Sequence, residues 1–450
     1  MIKSFRIILI VVAIVLSVCN VVVSDFLINR NKIIKGVYFY DFHLGGKTRE
    51  QCKVFLKQKT ESLLQKPVCL IINNNEKITL FPRNIDIHLD INKITSDAYL
   101  VGRGKNKIEN IILRYKILRQ KRYLDVIEYV KYNKKKLKQL MEFLNNKIST
   151  APRNADFKIE NGNVVIVPSM EGQKLDENKF QVLFNKTLFK ENNRKFIIPV
   201  EKIKPALTTE TAKAMQIEKR ISSFSTAFDP DKPERVNNII IGVEKLNKLI
   251  IAPGEVFSFN EMLGPRSYEM GYQKAPAYIN KEVKMEVGGG ICQVSSTLYN
   301  LVLKTDLKVI ERTPHSRPVD YVVLGLDATV YYDEIDFKFK NNTNHYLLLH
   351  AQIIEGQKIL MEFYGSKDMN IPEIRIVSQI VEKIPPGIKI KRKGDVEQGE
   401  IYIEKGKPGY RVRVWKIIEN KREVEKEFLH EDVYHPVETI VYVPSAKGNK

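Results

Sequence analysis

Residues 7–23 read IILIVVAIVLSVCNVVV, an apolar run broken only by Ser17 and Asn20. A run of this length reaches the lower end of what spans a bilayer and exceeds an ordinary signal-peptide core. Lys3 and Arg6 precede it, and positive charge there keeps the N-terminus cytoplasmic and sends the following chain outward. The segment 1–30 therefore reads as a short cytoplasmic start and an uncleaved single-pass anchor. A signal peptide is the alternative: Val22 and Ser24 could serve as its small pair, though no Ala-x-Ala site is present. Everything after residue 30 is then expected to fold outside the cytoplasm.

That placement decides what the charge means. The 450 residues carry 73 Lys+Arg against 53 Asp+Glu, a net charge of +20. A basic surface suits nucleic acid or an anionic envelope. Outward topology and the lack of any DNA- or RNA-reading motif exclude nucleic acid, leaving an anionic wall polymer as the expected partner. Of the four cysteines, Cys19 lies in the apolar run. Cys52 and Cys69 could pair only if helix and strand bring them together, which spacing alone does not decide. Cys292 is left as an unpaired thiol. The seven histidines are scattered without ligand spacing, so neither a metal site nor a cofactor is expected.

From Gly36 short strands and helices alternate. Thr48 caps a predicted helix, TREQCKVFLKQKTESLL, and two strands follow across a turn at Asn73–Asn75. The layout returns 86 residues later: Pro82 and Asp90 match Pro168 and Asp176, and KITLFP matches NVVIVP. We read a duplicated α+β module, 31–118 and 119–205, with the basic stretch 103–122 as a solvated helix face. Residues 206–222 read as a linker helix.

The strings GVYFYDFHLGGKTREQ and TAPRNADFKIENGNVVIVPSMEGQKLD give 36–205 a resemblance to peptidoglycan-binding modules found outside the membrane in Gram-positive bacteria. Residues 223–366 resemble the VanW family. The strings that carry this are Phe224-Ser225-Thr226, PGEVFSFN from Pro253, Gly264-Pro265-Arg266, GGGICQVSSTLYN from Gly288, Glu311-Arg312, His315-Ser316 and Asp327-Ala328-Thr329-Val330. The tail, 367–450, has alternating strands and a GKPG turn, and resembles a five-glycine (G-five) domain. The expected fold class is α+β and multidomain: N-terminal membrane helix, duplicated α+β modules, central α+β VanW-type domain, C-terminal all-β module. The family name implies no glycopeptide resistance, because no ligase or dipeptidase signature is present.

Chemistry concentrates at VGGGICQVSSTLYN. Gly288, Gly289 and Gly290 free the backbone from Cβ constraints and lead into a helix. Unpaired amides and the positive dipole end favour thiolate at Cys292. A helix-start cysteine, a downstream histidine and then an acid is the chain order of transglutaminase-like thiol enzymes. The candidates are Cys292, His315, and either Asp327 or Asp336. Segment 307–312 can run back as a strand and deliver His315 towards the helix start. Gln293 or a glycine-loop amide is a candidate oxyanion donor, and Ser295, Arg266 and Arg317 join the glycines as candidate binding residues. Cysteine is also among the most buried residue types, so a packing role competes. Two readings follow: a membrane-anchored envelope protein that binds peptidoglycan or another wall polymer, and a cysteine-dependent hydrolase or acyltransferase on wall peptides.

Overall fold

The computed structural model describes residues 2–72, 76–279, 282–393, 401–419 and 424–444. The turn expected at Asn73–Asn75 lies outside them. Contacts divide the chain into two compact units, Met1–Arg153 with Met170–Pro205, and Asn154–Ser169 with Ala206–Lys450.

The first unit opens with the helix Ile2–Ile28. Its stretch Arg6–Ile28 has a mean hydropathy of 3.0 and is unburied, which gives it the length and apolarity to cross a bilayer. Membrane anchors and signal sequences share this form. The helix Arg49–Gln65 starts at a capping box: Thr48 Oγ1 accepts from Gln51 N at 3.3 Å, and Gln51 Oε1 accepts from Thr48 N at 3.0 Å. Two further helix starts in this unit are capped by aspartates. Asp90 and Asp176 each accept from the amide three residues on, at 3.0 Å, to start the helices Ile91–Leu100 and Glu177–Leu188.

Strands far apart in the chain share the sheets of this unit. Lys195–Ile197 lies parallel to Val68–Ile71, which also pairs antiparallel with Lys77–Leu80. Val37–Phe39 lies parallel to Arg122–Leu124. One core runs from Ile33 to Ile198 through Phe39, Leu70, Phe180 and Phe184. Short strands of two to four residues cannot cover a hydrophobic face alone, so they and the helices close over this one core. The hairpin Asp156–Glu160 with Asn163–Val167 leaves this unit and joins the sheet of the second.

That sheet has six strands, in the order Leu249–Ile251, Leu347–Ile354, Lys358–Gly365, Lys219–Ala227, Asn163–Val167 and Asp156–Glu160. The expected linker helix is reduced to Thr209–Ala214. From Lys219 the β-rich sequence KRISSFSTA enters the sheet against Lys358–Gly365, because pairing along a full strand outweighs local helix preference. The helices Pro233–Leu246 and Ile291–Lys304 contribute to the core with Phe259, Phe337, Phe339 and Phe363. From Gln293 to Leu303 every residue of the second helix is buried, as expected of a helix without a polar stripe facing solvent. Beyond Gly365, Glu373–Ile384, Gly409–Glu419 and Val424–Tyr434 form one antiparallel sheet, and Ile388–Lys393, Thr439–Pro444 and Tyr402–Glu404 a second.

Candidate active site

The helix Ile291–Lys304 starts at Gly290, whose φ of +108° is left-handed and which offers no side-chain cap. Gly289 packs so tightly that a Cβ would sit 2.4 Å from the Ala275 carbonyl oxygen. Asn238 Nδ2 fixes the loop by donating to Gly289 O at 2.9 Å. No side chain folds over the helix end, and the loop's own carbonyls take two first-turn amides: Ile291 N donates to Gly288 O at 3.1 Å and Gln293 N to Gly290 O at 3.0 Å. Cys292 is only partly buried, between the buried Ile291 and Gln293.

The polar residues of this helix hold the next piece of the site. Ser295 Oγ donates to Ala328 O at 2.6 Å, Ser296 Oγ accepts from Ala328 N at 2.9 Å, and Asn300 Nδ2 donates to Leu326 O at 2.7 Å. These bonds grip the backbone on both sides of Asp327. Thr329 N then donates to Thr313 O at 2.8 Å, which brings the His315 segment alongside. Asp327 Oδ2 lies 2.6 Å from both the backbone nitrogen and Nδ1 of His315. Arg312 Nη2 approaches Asp327 Oδ1 at 3.3 Å. The imidazole and the Cys292 thiol also act on each other electrostatically, each favouring the charged form of the other. The thiol's other partner is Val330 O at 3.5 Å, a long contact of the kind resting sites show before they tighten.

The electrostatics follow from these contacts. Burial pushes the Cys292 thiol up, but the hydrogen bond and charge of His315, the Val330 contact and the positive charge of Arg266 outweigh it, so the thiol sits below its ordinary value. Burial pulls His315 down, yet Asp327 and Cys292 together raise it to about 9. Burial raises Asp327, and the hydrogen bond and charge of His315 with the charge of Arg312 hold it at about 2. All three shifts favour thiolate, imidazolium and carboxylate in one cluster. Tyr321, whose ring lies 6.4 Å from that of His315, is driven well above its ordinary value by burial and by the charges of Cys292 and Asp327.

Of the two candidate acids, the structure puts Asp327 on His315. Asp336 accepts from Ser258 Oγ at 2.5 Å, Asn260 N at 2.9 Å and Phe337 N at 2.8 Å, which orders the start of the short helix Phe259–Leu263. Gln293 is buried with both amide atoms engaged: Oε1 by Arg235 at 2.7 Å, Nε2 by Ala227 O at 2.7 Å and Thr226 Oγ1 at 3.1 Å. Its side chain cannot serve an oxyanion in this arrangement. Ser295 is a fastener for the acid's segment. Arg266 is stacked near Phe259 and Tyr332, donates to Gly264 O at 3.1 Å, and keeps Nη2 buried without a partner. Arg317 Nε is likewise buried and unpartnered. Sequence reasoning missed Arg235 and Tyr321, and it named Val330 only within a family string, without a role for its carbonyl. Neither motif nor spacing marks Arg235 or Tyr321, which come from a neighbouring helix and a separate loop. All four cysteines are free, and no metal-binding group of His, Cys, Asp and Glu occurs among the described residues. A cleft of about 700 Å³ lies in the first unit, lined by Tyr40, Phe42, His43, Lys47, Phe55 and Lys59 among others. It is not at Cys292.

Three family profiles match the chain: a peptidoglycan binding domain over 78–196, the VanW like protein over 234–364, and the G5 domain over 377–443. Together with the fold they define a multidomain α+β protein in which a VanW-type domain carries the cysteine cluster and a strand-rich G5 region follows it. The chain belongs to the VanW family. It is 31% identical over 267 residues to the uncharacterized protein YoaR of Bacillus subtilis, covering 59% of this chain and 84% of that protein. It is 30% identical over 173 residues to the vancomycin B-type resistance protein VanW of Enterococcus faecalis, covering 37% of this chain and 60% of that protein. Among solved structures, an IgA1 protease G5 domain is 27% identical, covering 17% of this chain and 96% of that one with a TM-score of 0.14.

Proposed function

We propose that this cell-wall-associated, extracytoplasmic protein is a cysteine-dependent acyl-transfer enzyme acting on wall peptides, either as hydrolase or as transferase. Its apolar helix would serve as anchor, and its first unit and C-terminal module would hold the substrate polymer. The observation that carries the reading is the buried contact of His315 Nδ1 with Asp327 at 2.6 Å, in a ring that also interacts with the Cys292 thiol. A cysteine that only packs needs no imidazole, and an imidazole that only packs needs no buried carboxylate.

In this reading His315 carries the thiol proton, leaving Cys292 as thiolate. The thiolate attacks the carbonyl carbon of a wall-peptide amide, and the new oxyanion is met by the backbone amide of Cys292 itself, in the first turn of the glycine-capped helix. His315 protonates the departing amine as the C–N bond breaks, leaving a thioester on Cys292. Water or a second amine then attacks the thioester, gives a proton to His315, and releases the thiolate. Asp327 fixes the ring orientation and stabilises the imidazolium throughout.

Wall binding draws support from the matched domains and from the charge of +20. The cleft of the first unit combines Tyr40 and Phe55 with Lys47 and Lys59, a lining suited to the sugar faces and carboxylates of a glycopeptide. The deciding experiment incubates the protein with soluble wall peptides and looks by mass spectrometry for a thioester adduct on Cys292. An adduct that disappears in Cys292→Ala supports the proposal. A thiol that forms no adduct and alkylates no faster than in the unfolded chain sinks it, leaving binding alone.

A further inference from the structure

We propose that the C-terminal β module is a working part of the Cys292 site, with Tyr434 as a positioning residue for Asp327 and, through it, for His315. The proposal rests on the thiol-enzyme reading above. Asp327 Oδ1 accepts a short hydrogen bond from the hydroxyl of Tyr434, the last residue of the strand Val424–Tyr434. The same hydroxyl oxygen accepts from Gly325 N at 2.7 Å, so one side chain ties down both ends of the Gly325–Asp327 segment. Two residues earlier on that strand, Asp432 takes Arg312 Nη1 on both carboxylate oxygens, at 2.8 and 2.7 Å, while Arg312 Nη2 reaches Asp327. Two residues earlier again, His430 Nε2 lies 2.9 Å from the hydroxyl of Tyr299, on the helix that carries Cys292. His435 N donates to Ser316 O at 2.8 Å, one residue past His315.

His430, Asp432 and Tyr434 alternate along the strand and so share one face. That face presents polar groups to the acid, to the arginine beside it and to the cysteine helix. Tyr434 is fully buried, and Asp432 is 4% exposed. A module serving only to bind wall polymer could dock through apolar contacts, without an aspartate and a phenol buried against the catalytic acid. Buried polar groups in a satisfied network rigidify what they hold. Burial and the Asp327 charge push the Tyr434 phenol far up, so it remains a donor at every pH where the thiol works.

Tyr434→Phe keeps the ring and removes the hydroxyl. In the full chain, iodoacetamide alkylation of Cys292 is followed against pH, alongside the NMR resonance of the His315 Nδ1 proton and the melting temperature. The alkylation midpoint is expected to move up by about one pH unit, with roughly tenfold slower labelling on the acid side. The His315 resonance is expected to exchange faster with solvent. Tyr402→Phe, on an exposed strand of the same module, changes neither. A folded Tyr434→Phe protein with both readouts unchanged overturns the proposal. Where the wild-type thiol is inert but the His315 resonance still responds, the enzyme reading fails and the positioning role stands. If Tyr434→Phe does not melt cooperatively, Asp432→Asn replaces it, with the same shift expected, smaller in size, and the same unchanged result decisive against it.

Discussion

Two cysteines sit in the first turn of helices in the two units, and their chemistry runs in opposite directions. Cys52 follows a helix start closed by the reciprocal Thr48 and Gln51 bonds. It is fully buried, its nearest polar neighbour is Thr95 Oγ1 at 3.9 Å, and burial pushes its thiol up. Cys292 follows a start capped only by Gly290, is partly exposed, and meets His315, Arg266 and Val330 O. A helix N-terminus is common to both, so the dipole alone does not make a nucleophile. What separates them is which effect wins: at Cys52 burial outweighs the Thr95 contact and the charge of Lys47, whereas at Cys292 His315, Val330 and Arg266 together outweigh burial.

The largest test removes that partner's chemistry. Cys292→Ala should abolish transfer to wall peptides, a loss of about 10⁴-fold or more, while Cys52→Ala leaves turnover intact and lowers only the melting temperature. Equal losses from the two would erase the contrast. Next, Asp327→Asn should reduce turnover by about 10³-fold through misorientation of His315. Asp336→Asn instead should cost about 1–3 kcal/mol of stability, read by denaturant midpoint, with alkylation of Cys292 unchanged.

Labelling sharpens the comparison directly. Near pH 7, Cys292 should react with iodoacetamide about 10- to 100-fold faster than Cys52, by peptide mass spectrometry. The pH dependence has a definite sign. Turnover should rise on the acid side as Cys292 ionises, below the ordinary thiol range, and fall above about 9 as His315 loses the proton it must give the leaving amine. Alkylation, which needs only thiolate, should not fall there. Stability linkage runs the same way. His315 is raised, so its contribution is complete below its ordinary value and lost as pH rises through about 9. Asp327 is lowered, so its contribution is present above the ordinary carboxylate range and lost as pH falls towards about 2. The smallest effect belongs to the other helix: Thr48→Ala should cost about 1 kcal/mol in thermal unfolding and leave Cys292 labelling untouched.

Much of this site was readable from residue order. Three glycines before Ile291-Cys292 marked an uncapped helix start, and the strand Lys308–Glu311 runs back as its alternation suggested. The choice between Asp327 and Asp336 was not readable. Both follow His315 at plausible spacing, and only the bonds from Ser295, Ser296 and Asn300 to the 326–328 backbone decide which is delivered. Ser295 looked like a ligand contact because a buried serine that bonds a distant carbonyl has no local signature. The fold shows the same split. The cap at Thr48 is local and was visible, whereas the parallel pairs of the first unit join residues 122 − 37 = 85 and 195 − 69 = 126 positions apart. The 206–222 segment failed for a related reason: the strand from Lys219 is fixed by Lys358–Gly365, far beyond any local window.

The hairpin at Asp156–Val167 also sets a timetable. During synthesis it emerges after most of the first unit, yet its own sheet is completed only when Lys219–Ala227 and then Lys358–Gly365 arrive. For the time it takes to make the roughly fifty residues up to Lys219, the Asn163–Val167 edge offers unpaired backbone groups to any passing strand. The charged residues Asp156, Lys158 and Glu160 lie on the other strand, which stays the outer edge of the finished sheet, and they keep that edge solvated. Agents that slow elongation beyond this hairpin should therefore increase aggregation of the chain more than those that slow it earlier.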